Sequence, residues 1–280
     1  MSVRLDRLLA HDFGRLERSY DARDTILYAL GCGAGAGELP LVCERGLVAL
    51  PSMATVLCNV SDWLCDPAGL LDGTRALHGS ERIELDGPLP ASGRVTAAPR
   101  IAEVHDKGEG RGAIVVVERD ILDAATGARL ARVTNRVFFR GDGGIGGTGH
   151  PAPVPAAIPD RPAEAEIAVP TSSRAAAIYR LSGDENPLHI DPATAAAAGF
   201  PAPILHGLST YGHVLRAVLA ARPGARLRMM DCRFTGPVWP GEELTVQLWD
   251  MPGGLRFRVR VGERLVIDNG EMDFAEGGCP

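Results

Sequence analysis

The chain has 280 residues, 45% of them hydrophobic, 23% charged and 5% aromatic, an ordinary composition for a globular protein of one large domain or two smaller ones. A formal net charge of −6 with no basic block argues against a nucleic-acid binder, while an anionic ligand that needs only a few local cations stays open. No apolar run reaches the roughly 18 residues of a membrane span and residues 1–9 lack a signal-peptide core, so no membrane partner is expected.

In chain order, Tyr28-Ala-Leu-Gly31 leads into Gly31-Cys-Gly-Ala-Gly-Ala-Gly37, a lookalike of the dinucleotide-binding fingerprint. No helix follows it, Pro40 interrupts and no convincing acidic residue stands at the expected distance, so nucleotide binding is not expected. Met53–Trp63 reads as a helix, and Ser80–Leu85, Arg94–Val104, Gly112–Leu122 and Arg129–Phe139 as strands. Gly141 to Ala163 opens Gly-Asp-Gly-Gly-Ile-Gly-Gly and carries five prolines before Glu164, the composition of a linker between units at 1–140 and 164–280.

Beyond the linker, Asp191 and Pro192 have the residue types of an N-cap and first helical position, with an Ala-rich body to Ala198 and Gly199 as the stop. Leu205–Arg222 carries apolar residues at 205, 208, 214, 215, 218 and 219, close to a helical period, and Pro223-Gly224 ends it. Arg226–Phe234, Glu243–Asp250, Leu255–Val261 and Arg264–Phe274 read as antiparallel strands between Gly and Pro turns. Three landmarks recur in order in the two halves: Tyr28 and Tyr179, Leu77-His-Gly79 and Leu205-His-Gly207, Gly87-Pro and Gly236-Pro. A duplicated fold with diverged copies is the economical reading, and periodicity alone gives α+β, a sheet plus a buried helix.

The six cysteines at 32, 43, 58, 65, 232 and 279 show neither Cys-x-x-Cys spacing nor a compact framework, which fits reduced thiols in the cytoplasm. The C-terminal Gly-Gly-Cys-Pro is not a peroxisomal address. His206 and His213 lack a third ligand at metal-binding spacing, so no metal is expected. Ser209, Thr210 and Tyr211 have no Gly-x-Ser-x-Gly around them.

The most informative run is Tyr179-Arg-Leu-Ser-Gly-Asp-Glu-Asn-Pro-Leu-His189. Proline at 187 keeps Asn186 extended, so Asp184 and His189 cannot share one straight helix, and a bend there can aim a carboxylate and an imidazole at one point. Paired acid/base work needs that convergence.

This run resembles the signature of the R-specific enoyl-CoA hydratases, the hydratase 2 or MaoC-like dehydratase family, in its two-domain form. Tyr28-Ala-Leu-Gly-Cys-Gly-Ala, Leu50-Pro-Ser, Leu77-His-Gly-Ser-Glu and Asp106-Lys-Gly are similar to the family's amino half, so the likeness covers about residues 5 to 275. It implies a double hotdog, two degenerate repeats each with a long central helix wrapped by an antiparallel sheet. It also implies reversible hydration of trans-2-enoyl-CoA to (3R)-3-hydroxyacyl-CoA, with no organic cofactor or metal and with water as co-substrate. Asp184 and His189 would be the acid/base pair, which of them gives and which takes being open. Asn186 would orient the water or the His189 ring, and Gly207, at a helix start, would donate its N–H to the enolate oxygen. The silent first half would make room for the acyl chain. By position His78, Gly79 and Lys107 would touch the thioester or coenzyme A, and Phe234 would line the pocket. Ser80 departs from the family pattern, standing where a Gly-Glu pair is expected, and a shift of strand register is expected there. A homodimer is the expected assembly. The alternatives are dehydration in the synthetic direction on a carrier-bound substrate, a hotdog thioesterase and a non-catalytic acyl-CoA-binding subunit.

Overall fold

Along 254–261 Leu255, Phe257 and Val259 are fully buried while their neighbours are half-exposed, the alternation of a strand with one face on a core. The computed structural model, which describes residues 3–60, 63, 69–150 and 154–275, repeats this pattern in one antiparallel sheet. Its strands are β1 (Leu16–Tyr20), β2 (Ala76–Leu85), β3 (Gly93–Ala97), β4 (Arg100–Asp106), β5 (Ala113–Asp123), β6 (Arg129–Phe139), β7 (Ala165–Pro170), β8 (Leu227–Phe234), β9 (Glu243–Met251), β10 (Gly254–Val261) and β11 (Arg264–Phe274). The order is β1-β3-β5-β6-β2-β8-β11-β10-β9-β7, with β4 continuing β3 along the same edge of β5. Reading outward from the centre, the order is a near-palindrome. β2 and β8, one from each half, pair through Ser80↔Arg233 to Glu84↔Met229, so the duplication closes into one sheet.

The described helices are α1 (Val3–Leu9), α2 (Ala22–Gly31), α3 (Leu39–Val42), α4 (Ala175–Tyr179), α5 (Pro192–Ala197) and α6 (Gly207–Ala221). α6 lies against the sheet with every residue from Leu208 to Leu215 buried, so its burial goes well beyond the apolar stripe. Tyr211 donates its hydroxyl to the Met230 carbonyl (2.8 Å), and Ser209 and Arg216 donate to the Gly31 and Cys32 carbonyls at the end of α2 (2.9 and 3.0 Å). The glycine-rich 31–37 run thus begins at a helix C-terminus whose carbonyls face donors, the wrong polarity for a phosphate. At Gly31 a Cβ would come within 3.0 Å of Tyr179 Cα, so α2 and α4 touch there, and the Tyr28 and Tyr179 rings lie 5.7 Å apart.

Three expectations are corrected. Met53–Trp63 is not one helix: a 3₁₀ helix runs over Pro51–Val56, Cys58 takes a left-handed φ of 49°, and residues 61 and 62 lie outside the described ones. The reason is Arg119, whose buried guanidinium takes the Thr55 and Leu57 carbonyls (2.6 and 3.3 Å) that a helix would use internally. Arg94–Val104 is two strands, because Pro99 at the break has no N–H for the ladder. Leu77-His-Gly79 and Leu205-His-Gly207 are not equivalent, one lying in β2 and the other leading into α6, whereas Tyr28 and Tyr179 do occupy matching helices.

The described part of 141–163 is tied down on both halves. Asp142 is buried against Arg4 and the Asp72 amide, Gly144 and Gly146 donate to Asp106 (2.9 and 2.8 Å), and the Arg161 carbonyl accepts from the Trp249 indole (2.8 Å). Cys32, Cys43, Cys58 and Cys232 are free thiols, and Cys65 and Cys279 lie outside the described residues. Among the described residues no helix is long and apolar enough to cross a membrane.

Candidate active site

The signature run folds by local rules. A 3₁₀ turn at Arg180–Ser182 ends on Gly183, whose φ of 117° is open to glycine and strained for other residues. Asn186 is extended (φ −49°, ψ 120°), as its following proline requires, and its side-chain carbonyl accepts from the Leu188 amide (3.0 Å). That bond caps a second 3₁₀ turn, Pro187–His189, on which the imidazole is mounted. Asp191 then accepts from Ala193 and Thr194 (both 3.1 Å) and starts α5, as its residue type foretells.

The bend brings a carboxylate oxygen of Asp184 and one ring nitrogen each of His189 and His206 within 4.8 Å of one another. His189 Nδ1 stands 2.9 Å from the Ile204 carbonyl, which can only accept, so Nδ1 carries the hydrogen and Nε2 a lone pair. Burial holds the His189 pKa below its ordinary value, with Asp184 and the Ile204 carbonyl pulling the other way. His206 is 1% exposed, stacks on His189 with centroids 3.8 Å apart, and lies with its Nε2 3.1 Å from the Asp184 backbone carbonyl. Burial pushes the His206 pKa down to about 2, with His189 adding to the fall, so this ring is neutral.

Two imidazoles and a carboxylate are also a metal-ligand set. Here the two rings stack at 28° with their centroids 3.8 Å apart. A single water also fits such a gap, since two hydrogen bonds of about 2.8 Å reach across it.

Gly207 follows His206 as the first residue of α6, where the leading N–H groups have no helical partner and the dipole is positive. A Cβ at Gly207 would lie 3.4 Å from Phe234 Cε1, so the Phe234 ring covers this helix start. On its other side Phe234 meets the His78 ring, 4.8 Å between centroids. His78 belongs to the first half and donates from Nε2 to Glu81 (3.0 Å), a fully buried carboxylate also bonded by Asn135, itself held by Arg119 (2.7 Å). The contact exists because β2 shifts register between His78 and Ser80, the shift expected at Ser80. Strict alternation would put His78 and Glu81 on opposite faces.

Asp184 and His189 are thus brought together with His206, which Gly207 directly follows, while Asn186 caps the turn that carries His189 and Phe234 contacts both Gly207 and His78. Gly79 lies at the register shift, where a Cβ would come within 3.0 Å of the Arg136 carbonyl. Lys107 is not brought there. Its ammonium lies 4.8 Å over the Phe138 ring, which pairs with exposed Leu77 on the strand face opposite His78. His206 and the Glu81–Asn135–Arg119 network carry no sequence signal beyond the adjacency of His206 to Gly207.

Comparison with known proteins gives two family matches that together span most of the chain. Residues 19–141 match the MFE-2 hydratase 2 N-terminal domain and residues 155–270 the MaoC like domain. A 3-hydroxyacyl-thioester dehydratase Y of Mycobacterium tuberculosis is 40% identical over 91% of this chain and 93% of its own length. Enoyl-CoA hydratase ChsH3 of the same organism is 36% identical over 89% and 90%. A crystal structure of a MaoC-like dehydratase from Phytophthora capsici superposes with a TM-score of 0.86 at 30% identity, covering 97% of this chain and 98% of that one.

Proposed function

This chain belongs to the two-domain hydratase 2 and MaoC-like dehydratase family, with its double hotdog fold and its hydro-lyase class of chemistry, and on that premise we propose that it reversibly hydrates trans-2-enoyl-CoA to (3R)-3-hydroxyacyl-CoA. The observation that carries the reading is the convergence of Asp184 and His189, which bring a carboxylate oxygen and a ring nitrogen within 4.8 Å of each other, close enough to share one water. A water held there donates one hydrogen toward the carboxylate and one toward His189 Nε2, leaving an oxygen lone pair for C3 of the thioester. Hydroxyl is delivered to C3, and the remaining proton passes through one of the two groups to C2, so one water is consumed and no atom is left over. Such acid/base groups contribute typically 10²–10⁴-fold each.

The Gly207 N–H, at the positive end of α6, meets the enolate oxygen as negative charge builds on it, and one such donor contributes about 2.7–4 kcal/mol. Phe234 and His78 form the wall against which the thioester lies. This reading draws nothing from Gly79 or Lys107. The same machinery runs backward as a dehydratase, the direction in the name of the 40% identical relative.

The test is loss of conjugated-thioester absorbance on adding protein to crotonyl-CoA and to a longer trans-2-enoyl-CoA, followed by chiral chromatography. Conversion to the R alcohol is expected. The S alcohol, or no conversion by folded protein, overturns the reading. Light scattering on the same sample checks the expected homodimer.

A further inference from the structure

We propose that His206 is a positioning residue of the acid/base pair, holding the backbone of Asp184 through its Nε2–H and the ring of His189 through its face. This rests on the hydration reading above and adds to it a part that neither the signature run nor the comparisons assign.

The geometry supports it from three sides. The Asp184 carbonyl accepts from His206 Nε2 at 3.1 Å, which fixes the tautomer and leaves Nδ1 as a bare, buried lone pair with no partner among the described residues. The ring is clamped between His189 (3.8 Å, 28°) and Tyr179 (4.9 Å, 47°). It is the N-cap residue of α6, directly before Gly207. One side chain therefore ties the signature loop to the helix start that is to hold the enolate, reaching a residue 22 positions upstream. Acid/base groups and oxyanion donor must keep a fixed spacing, and a rigid buried ring sets it better than the loop alone.

Neutrality belongs to the role. The groups that face His206 are Asp184 and His189 from the loop and Tyr179 and Arg180 from α4 and the turn after it. When His189 takes up a proton, a second imidazolium stacked on it would repel it, whereas a neutral ring offers its π face. Deep burial keeps His206 in that neutral form.

Two variants separate the contacts. His206→Phe keeps a ring and removes the donor, and His206→Gln keeps an amide N–H at similar reach and removes the ring. Each is expected to lower kcat on crotonyl-CoA about 10- to 100-fold, the scale of a small misplacement of reacting groups, with KM changed less than about threefold. The acid limb of the pH–rate profile should move in His206→Gln, where the neighbour of His189 changes. Folded variants with wild-type kcat and pH profile overturn the proposal. Should either variant fail to fold, nitrogen-15 spectra of the wild-type imidazoles decide. A protonated Nε2 and bare Nδ1 persisting down to pH 5 are expected, and the opposite tautomer or a titrating His206 overturns it. Silent variants beside an active wild type sink the His206 role alone. A wild type with the expected tautomer but no hydration of any enoyl-CoA sinks the reaction and this role with it.

Discussion

His189 Nδ1 donates to the carbonyl of Ile204 at 2.9 Å, and that single bond decides which nitrogen faces the reaction. With Nδ1 engaged, Nε2 is the free base, and burial holds the ring neutral below the ordinary histidine range. The neutral form is the one that can take a proton from water, so the acid limb of kcat/KM is expected below pH 6.5. A pH–rate profile on crotonyl-CoA checks this, and a limb above pH 7 contradicts it.

Burial lowers the pKa of His206 to about 2 and that of His213 to about 4, so in the folded state both bind protons less readily than in the unfolded chain. The unfolded state takes up protons first as pH falls through about 6.5, and stability must drop from there downward. For His213 the loss runs between about 6.5 and its folded value of about 4. Urea midpoints at pH 7.5, 6 and 5 should fall in that order, and His213→Gln should flatten the series. A midpoint that is flat or rises toward pH 5 refutes this.

Gly212 in α6 faces the Cys32 thiol so closely that a Cβ would collide with the sulfur. The close approach seats α6 on the end of α2, and so one half on the other. Gly212→Ala is expected to destabilise by about 1–3 kcal/mol in denaturant melts, the usual scale of overpacking. Cys32→Ala should recover part of the loss, and strict additivity of the two changes in a double-mutant cycle would contradict the contact.

Arg119 is 1% exposed and spends its guanidinium on Asn135, Thr55 and Leu57, with Glu81 beyond Asn135. Arg119→Met leaves the buried Glu81 carboxylate without its balancing cation, and about 3–5 kcal/mol of destabilisation is expected. Adding Glu81→Gln should restore stability in part, since the stranded charge is then gone. Melts of the single and double variants read this directly, and a double variant no better than the single rules out charge balance.

The signature run was legible because its geometry is local. Gly183 supplies the left-handed turn, the residue before Pro187 must be extended, and Asp191 caps the next helix, so Asp184 and His189 converge by rules that act over a few positions. Most strands were legible from alternation, but Pro99 divides one, and the outer strands β1 and β7, exposed or half-buried but for a single buried residue each, were not read. The Met53–Trp63 segment misled because apolar spacing cannot announce that Arg119, more than 60 residues away, claims two of its carbonyls. His206 stayed hidden for a similar reason. Its partners lie 17 and 22 residues upstream, and only the folded loop brings one to its face and the other to its edge.

The central claim is that one water between Asp184 and His189 is delivered to the enoyl thioester. Its most direct test is the initial rate of crotonyl-CoA hydration by wild type and by Asp184→Asn, a variant of nearly the same shape that loses the charge and the proton-accepting power. Wild type should form the R alcohol and the variant should be slower by at least about 10²-fold, with its melting behaviour unchanged. An Asp184→Asn protein that hydrates at the wild-type rate would contradict the account.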